Sequence, residues 1–290
     1  MDSFPLQHAL SEPLSLAGSQ SQAQWALNCP RKAVIFVHGF CGAALKTWTH
    51  FPDLLTLHPG FGDCDLIYYG YDAKFKQANS SALDFRDFLT ALLSRPFAHA
   101  NQALQNFNLP ELLREEHGTY EKIVIIAHSL GAIVSRVALL DCHDLRQRDA
   151  AKYAWLDRCR LVLFAPAHWG SMTADIAYLF LSNQSTWILS DIAGKAALQK
   201  SPLLGDLRSN SAVIEQLRER TAELLKAAAP PPYAIAEAVR WADIEAVVHN
   251  SRFGRDAVAE KIPGTDHVSV CKPDTSDHLA VQVLAETILK

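Results

Sequence analysis

The chain has 290 residues, of which 49% are hydrophobic and 20% charged, and its formal net charge is -4. This composition is sufficient for a large core and differs from that of a disordered chain. The slightly acidic balance, without a dense run of Lys and Arg, argues against nucleic acid as a partner. Because α/β folds of this length often form one domain, a single domain over residues 1–290 is expected.

The start of the chain gives no indication of export. MDSFPLQHALSEPLSLAG has acids and prolines where a secretory signal has basic residues and an unbroken apolar segment. The longest apolar stretch, residues 176–189, is interrupted by polar side chains and is too short for a spanning helix. The six cysteines are scattered, without a C-x-x-C pair, which favours reduced thiols. The sequence therefore predicts a cytoplasmic protein without stable membrane insertion.

Short β-branched runs alternate with helical patterns along the chain. This alternation indicates an α/β fold with a mainly parallel sheet covered by helices. Because the runs are almost continuously apolar, the sheet is expected to be buried on both faces. The predicted strands cover residues 33–37, 65–71, 122–128, 161–167, 233–239 and 259–263.

A long segment with helical periodicity separates the fourth and fifth predicted strands. Its apolar residues include Val213, Ile214 and Leu217 on one stripe, and the run AAAPPPY ends the pattern. We predict that residues 169–230 form a helical cap inserted between strands. The apolar side chains of residues 176–189 either line or gate an acyl pocket, or they pack the cap onto the core. Transient membrane contact through the cap stays open, although no basic amphipathic face supports strong anchoring.

The stretch KIVIIAHSLGAIVSR, residues 122–136, places a serine where a strand pattern changes into a helix pattern. A serine hydroxyl is a weak nucleophile, so it must be held beside a base and near groups that stabilise an oxyanion. A sharp strand-to-helix turn does this and requires small residues two positions to either side, here Ala127 and Gly131. Ser129 is therefore a candidate nucleophile. The amide of Leu130, at the helix N-terminus, is a candidate oxyanion donor.

This segment resembles the nucleophile elbow of the α/β-hydrolase superfamily in its Ala-x-Ser-x-Gly form. The chain is most similar to the lipase-like serine esterase branch, which includes GPI inositol-deacylase-like and serine-active-site-containing proteins. The likeness covers most of the chain, but the first 30 residues match nothing. It implies the α/β-hydrolase fold. The matching stretches are FVHGFCGAALKTW (36–48), IIAHSLGAIVSR (125–136), LFAPAHWGS (163–171) and IPGTDHVSVCKP (262–273).

The resemblance also places a second oxyanion donor and a base. In VHGF a strand ends in a glycine turn, and the following amide, that of Phe40, can face the oxyanion. In this superfamily the acid and then the histidine follow the serine along the chain. His267 follows the last predicted strand and a Pro-Gly turn, and it is the candidate base. His128 adjoins Ser129, but its side chain is expected to diverge from the nucleophile.

Two acids compete for the third position of the triad. Glu245 stands two residues before a Val-Val pair, in the register where the family has its acid. Asp243 fits if the turn is spaced differently. We prefer Glu245 and keep Asp243 as the alternate acid, with Glu237 as a third choice and Asp266 as a loop residue.

Together these residues predict a serine hydrolase that cleaves carboxylic esters, namely lipid or acyl esters, through a Ser-His-acid triad and a covalent acyl-enzyme. His168 and Trp169 are candidate substrate-binding residues, with a structural role as the alternative for His168. Neither zinc-ligand spacing nor a phosphate-binding loop is present, so no metal or cofactor is expected. The same triad would serve a thioesterase or acyltransferase, and a non-catalytic binding or scaffold protein is the alternative from another class. The sequence leaves the oligomeric state open.

Overall fold

The computed structural model describes residues 10–16, 20–26, 30–57, 61, 64–74, 76–94, 119–170 and 205–289. The strands within these residues are β1 (Leu14–Ser15), β2 (Gln22–Gln24), β3 (Lys32–Val37), β4 (Cys64–Tyr69), β5 (Lys122–His128), β6 (Cys159–Phe164), β7 (Ala236–Ile244) and β8 (Glu260–Asp266). They form one sheet in the order β1-β2-β4-β3-β5-β6-β7-β8. β2 is antiparallel to its neighbours β1 and β4, and the pairs from β4 to β8 are parallel.

Helices cover both faces of this sheet. Those in the described part of the chain are α1 (Phe51–Thr56), α2 (Ala78–Leu93), α3 (Leu130–Arg146), α4 (Ala212–Leu224) and α5 (Leu279–Leu289). The step from β3 to β4 runs towards one edge of the sheet, whereas the steps from β4 through β7 run towards the other. Right-handed crossovers therefore place α1 on one face and α2, α3 and α4 on the other. Contacts of α3 with α2 and α4, and of α1 with α5, agree with this arrangement.

The centre of the sheet is buried on both sides, which explains its apolar sequence. Residues 123–140, which comprise most of β5, the following turn and most of α3, are all buried. β5 has β3 and β6 as neighbours and therefore has neither a free edge nor a face in water. The predicted mainly parallel sheet flanked by helices is confirmed.

The strand ends differ from the prediction mainly in the C-terminal part. β7 begins at Ala236, later than predicted, because Pro232–Ala234 forms a 3-10 turn. β8 runs on to Asp266, so the predicted Pro-Gly turn does not end the strand: Pro263 and Gly264 lie within it. They form an irregularity instead, because the pairing with β7 shifts register between Ile262 and Asp266 and Gly264 has a φ of 73°. An edge strand tolerates a proline at such a bulge.

No strand was predicted in the first 30 residues, yet they contribute β1 and β2 to the sheet. Both strands are too short, at two and three residues, to show a periodic pattern. The β2 segment lies close to β4: a Cβ atom on Gly70 would lie 2.3 Å from the carbonyl oxygen of Gln20. The Gly70 amide donates to the Ser21 hydroxyl at 3.0 Å, which ties this edge to the sheet.

The region predicted as a cap, residues 169–230, lies partly outside the described residues, which omit 171–204. Its described part includes α4, whose N-terminus is capped by Ser211 through a bond from the Ile214 amide. Val213, Ile214 and Leu217 are buried, as their shared stripe predicts, and α4 packs on α3. The cap as a whole, and the single domain over residues 1–290, stay predictions.

Two further expectations concern thiols and membranes. Of the cysteines, the five that fall in the described residues carry free thiols. No helix in the described ranges combines the length and the apolar character needed to cross a bilayer.

Candidate active site

Ser129 occupies the turn between β5 and α3 in a strained backbone conformation. Its φ of 53° and ψ of -119° lie outside the regions that a non-glycine residue usually adopts. Its N–H donates to the carbonyl of Phe164 at 3.0 Å, and its carbonyl accepts from the amides of Ala132 at 3.1 Å and Ala167 at 3.2 Å. The end of β6 and the first turn of α3 therefore hold the strained residue in place.

The small residues around the serine are required by close backbone approach. A Cβ atom on Gly131 would lie 2.4 Å from the carbonyl oxygen of Val37. A Cβ atom on Gly39 would lie 2.9 Å from the Cβ atom of Ser129, so the loop after β3 passes directly beside the serine. Ala127 is fully buried within β5, where its methyl group is accommodated. The alanine form of the elbow therefore fits this fold.

Ser129, His267 and Glu245 form a continuous hydrogen-bonded series. The Oγ of Ser129 lies 3.0 Å from Nε2 of His267, and Nδ1 of His267 lies 3.0 Å and 3.1 Å from the two carboxylate oxygens of Glu245. The side chains of His267 and Glu245 are 6% and 2% exposed. With Nδ1 carrying a proton for the carboxylate, Nε2 is left as an acceptor for the serine hydroxyl.

Glu245 is fixed by its own loop. Its Oε1 accepts hydrogen bonds from the amides of Val247 at 2.9 Å and Val248 at 3.2 Å. Both valines are buried, so the turn that they form cannot shift freely. This explains physically why an acid two residues before a Val-Val pair reaches the histidine.

The other carboxylates considered in the sequence have different partners. Asp243 is exposed, and its Oδ2 accepts from the Gly264 amide at 3.4 Å. Glu237 forms an ion pair with Arg160 at 2.7 Å. Asp266 accepts from Ser269 and from the backbone that follows it. In the part of the chain that the structure describes, Glu245 is thus the carboxylate that contacts His267.

A cavity of about 270 Å³ opens beside Ser129. Gly39, Phe40 and His267 contribute to its wall. Leu130 is the first residue of α3, so its amide has no acceptor within the helix, and the positive end of the helix dipole lies there. The two predicted donor positions, Phe40 and Leu130, therefore flank the serine in space, from the loop after β3 and from α3.

His128 contacts the backbone of His267, a contact that sequence reasoning missed. Burial, aided by the charges of His267 and Lys272, lowers the pKa of His128 to about 3, so its ring is neutral at ordinary pH. Its Nε2 lies 2.7 Å from the carbonyl oxygen of His267, which makes Nε2 the protonated nitrogen and the donor. As expected from the sequence, its side chain bonds elsewhere than to Ser129. No sequence signal marks this contact, because the two residues are 139 positions apart.

His38 supports the loop that carries Phe40. Its ring stacks on Tyr71 with centroids 4.4 Å apart, and the Tyr71 hydroxyl donates to the His38 carbonyl at 2.8 Å. Burial lowers the pKa of His38 to about 4, so Nδ1 donates to the Gly39 carbonyl and Nε2 accepts from the Tyr71 amide. A neutral histidine with two ring hydrogen bonds thus fixes the glycine turn.

His168 and Trp169 lie away from the described wall of the Ser129 cavity. His168 is 1% exposed, packs on Phe253 with centroids 4.6 Å apart, and has Nε2 3.4 Å from the carbonyl of Ser251. Trp169 donates from Nε1 to the carbonyl of Arg252 at 3.1 Å. Both side chains therefore anchor residues 251–253, and a role in substrate binding stays a prediction.

A buried ion pair, also missed by the sequence, fixes the same loop. Arg136 on α3 pairs with Asp256, and both side chains are 2% exposed. The other oxygen of Asp256 accepts from the Ala236 amide at 2.8 Å. The guanidinium lies 4.7 Å above the ring centre of Phe253. The loop after Glu245 is therefore attached to both α3 and the start of β7.

A metal centre is not formed by the described side chains, among which no three His, Cys, Asp or Glu residues converge on one point.

No protein-family model matches this chain. Protein SERAC1 from Danio rerio is 25% identical over 88% of this chain, which corresponds to 38% of the length of that relative. The monoacylglycerol lipase of Paleococcus ferrophilus is 10% identical, over 96% of this chain and 99% of that chain, with a TM-score of 0.47.

The peroxisomal alpha-beta-hydrolase Lpx1 from Saccharomyces cerevisiae gives a TM-score of 0.50 at 10% identity, over 98% of this chain and 90% of that chain. A likeness at this identity concerns the fold. The strand order, the single antiparallel β2 between β1 and β4, and the serine at the β5–α3 turn agree with it. The chain therefore has the α/β-hydrolase fold.

Proposed function

We propose that the protein is a serine hydrolase that cleaves carboxylic esters through a covalent acyl-enzyme. The esters are lipid or acyl esters. The observation that carries this proposal is the hydrogen-bonded series from Ser129 through His267 to Glu245. The Ser129 end of this series lies at a cavity of about 270 Å³ that can hold the acyl group of a substrate. The nucleophile, the base and the group that orients the base are thus within hydrogen-bond reach of one another.

The first half of the reaction forms the acyl-enzyme. Nε2 of His267 takes the proton from the Ser129 hydroxyl as the oxygen attacks the ester carbonyl. The negative charge that develops on the carbonyl oxygen is stabilised by the amides of Phe40 and Leu130 and by the N-terminal dipole of α3. His267 then gives its proton to the departing alcohol, and Ser129 keeps the acyl group.

Water completes the cycle by the same steps. His267 removes a proton from water, the hydroxide attacks the acyl-enzyme, and the proton returns to Ser129 as the acid leaves. Throughout, Glu245 stays ionised: it holds the Nδ1–H tautomer and stabilises the imidazolium form. Its backbone bonds to Val247 and Val248 keep the carboxylate aligned without a rearrangement during the reaction.

Covalent labelling tests this proposal directly. The protein is treated with a fluorophosphonate, and its intact mass and labelled peptide are determined. We expect one adduct, on Ser129, that is absent from Ser129→Ala and strongly slowed in His267→Ala. Ser135→Ala, a buried serine two turns further along α3, is the matched control and should label like the natural protein.

Hydrolysis of 4-nitrophenyl esters of increasing acyl length then measures turnover. Loss of turnover in folded Ser129→Ala protein supports the proposal. A folded natural protein that neither labels nor hydrolyses any ester contradicts it, as does Ser129→Ala protein that keeps its rate.

A further inference from the structure

Three lysines surround the cavity beside Ser129. Lys46 comes from the loop after β3, Lys74 from the loop after β4 and Lys272 from the segment after β8. Three separate parts of the chain thus each bring a lysine to the same opening. The described wall contains no aspartate or glutamate side chain.

The carboxylates near this opening are directed elsewhere. Glu245 lies behind His267, on the side away from Ser129, and is almost completely buried. The Asp266 carboxylate accepts hydrogen bonds from the Ser269 hydroxyl and the Val268 amide. Asp72 is exposed and accepts from the Lys74 backbone amide at 3.0 Å. The charge of Lys74 is therefore offset in part by that of Asp72, two residues before it.

Of the three lysines, Lys46 and Lys272 are the two whose positive charge is least offset. Among the residues that the structure describes, neither has an ion-pair partner. Lys46 is exposed, and Lys272 is half-buried. The charge of Lys272 also reaches the cavity floor, since it is one of the groups that lower the pKa of His128. A cavity with low-dielectric walls concentrates such a field and attracts anions.

We propose that this site selects esters that carry an anionic group, a carboxylate or a phosphate, placed to meet Lys46 and Lys272 while the ester carbonyl lies at Ser129. The inference rests on the proposed ester hydrolysis and deepens it by naming the substrate class. The lysines bind a charge that the substrate already carries. They therefore lower KM for anionic esters and change kcat on neutral esters little.

A matched pair of substrates separates the anion from the acyl chain. 4-Nitrophenyl pentanoate and mono(4-nitrophenyl) glutarate have five-carbon acyl groups that differ only in a terminal methyl or carboxylate. We expect kcat/KM to be higher for the glutarate at low ionic strength. In Lys46→Met/Lys272→Met protein the glutarate-to-pentanoate ratio should fall by about tenfold, and 0.5 M salt should reduce it in the natural protein.

Lys226→Met is the matched control. Lys226 lies just beyond the end of α4, is exposed and forms an ion pair with Glu223. It should leave the ratio unchanged. If the natural protein hydrolyses the pentanoate through Ser129 but shows no preference for the glutarate, the inference falls while the proposed hydrolysis stands. An equal loss of rate on both esters in the double variant would also overturn it.

A binding measurement tests the anion site independently of turnover. Titration calorimetry on Ser129→Ala protein compares octanol, octanoate and octyl phosphate as probes. Tighter binding of octanoate or octyl phosphate than of octanol, lost in Ser129→Ala/Lys46→Met/Lys272→Met protein, supports the inference, and the tighter of the two anions identifies the preferred group. Equal binding of all three overturns it, even in a protein that hydrolyses esters.

Discussion

The two halves of the candidate site are held in different ways. The nucleophile half, β5 with Ser129 and α3, is positioned by backbone packing between adjacent elements. The acid half, the loop from Glu245 to Asp256 together with His267, is positioned by side chains that bond to backbone groups and to one buried charge. The first half depends on the absence of side-chain atoms, and the second depends on their presence.

This difference determines how each half tolerates substitution. In the nucleophile half, a single added carbon on Gly131 meets the backbone carbonyl of Val37, which cannot move without displacing β3. In the acid half, removal of a polar atom leaves its partner buried and unpaired, as with Arg136 and Asp256. Substitutions that add side-chain atoms should therefore damage the nucleophile half, and substitutions that remove polar side-chain atoms should damage the acid half.

The largest expected effect is on catalysis in the acid half. Glu245→Gln keeps the shape of the side chain but removes the charge and favours the wrong tautomer of His267. We expect kcat for ester hydrolysis to fall by roughly 10⁴-fold, the loss found for the equivalent change in serine proteases. Asp243→Asn is the control and should retain the natural rate, because Asp243 is exposed and bonds Gly264. The reverse pattern would make Asp243 the acid.

The next effect concerns the Arg136–Asp256 ion pair, which holds the loop of the acid half in place. Arg136→Met leaves Asp256 buried without its cation, so the free energy of unfolding should fall by about 3–5 kcal/mol in urea titrations. Arg220→Met, which breaks partly exposed pairs with Asp141 and Asp144, should cost no more than about 1 kcal/mol.

A double substitution distinguishes a lost charge balance from lost packing. In Arg136→Met/Asp256→Leu protein both charges are absent, and much of the stability should return. If the double variant is as unstable as the sum of the two single variants, the pair does not act as a unit.

A smaller effect on stability is expected in the nucleophile half. Gly131→Ala places a carbon atom 2.4 Å from the Val37 carbonyl, and we expect a loss of about 1–3 kcal/mol in the free energy of unfolding. Gly205→Ala is the matched control, because a Cβ atom there meets none of the described residues within 4 Å. Equal stability of the two variants would show that backbone crowding does not hold the elbow.

The same difference explains what the sequence could predict. The elbow residues are contiguous, and their strand and helix patterns are strong, so Ser129 and its small neighbours can be identified without the structure. The acid half joins residues far apart in the chain: Arg136 and Asp256 are 120 positions apart. Such contacts leave no periodic signal in one sequence. The short β1 and β2, and the course of β8 through Pro263 and Gly264, were missed because tertiary pairing overrides weak local patterns.

The smallest effect lies where the two halves meet, at His128. This residue ends β5 beside Ser129 and donates to the carbonyl of His267, so it belongs to both halves. Burial lowers its pKa from 6.5 to about 3, so the unfolded chain binds a proton that the folded protein does not. Its contribution to stability is therefore complete above pH 6.5 and is lost as the pH falls from 6.5 towards 3. Between pH 6.5 and 5.5 this single group should lower the free energy of unfolding by about 1 kcal/mol.

Urea titrations of natural and His128→Gln protein at these two pH values measure this contribution. The glutamine variant can still donate to the His267 carbonyl but binds no proton, so its loss between pH 6.5 and 5.5 should be smaller by about 1 kcal/mol. Gly205→Ala protein, which removes no titratable group, should follow the natural protein. If His128→Gln loses as much stability on acidification as the natural protein, then His128 is protonated in the folded state. The junction between the two halves would then be held by an imidazolium and not by a neutral donor.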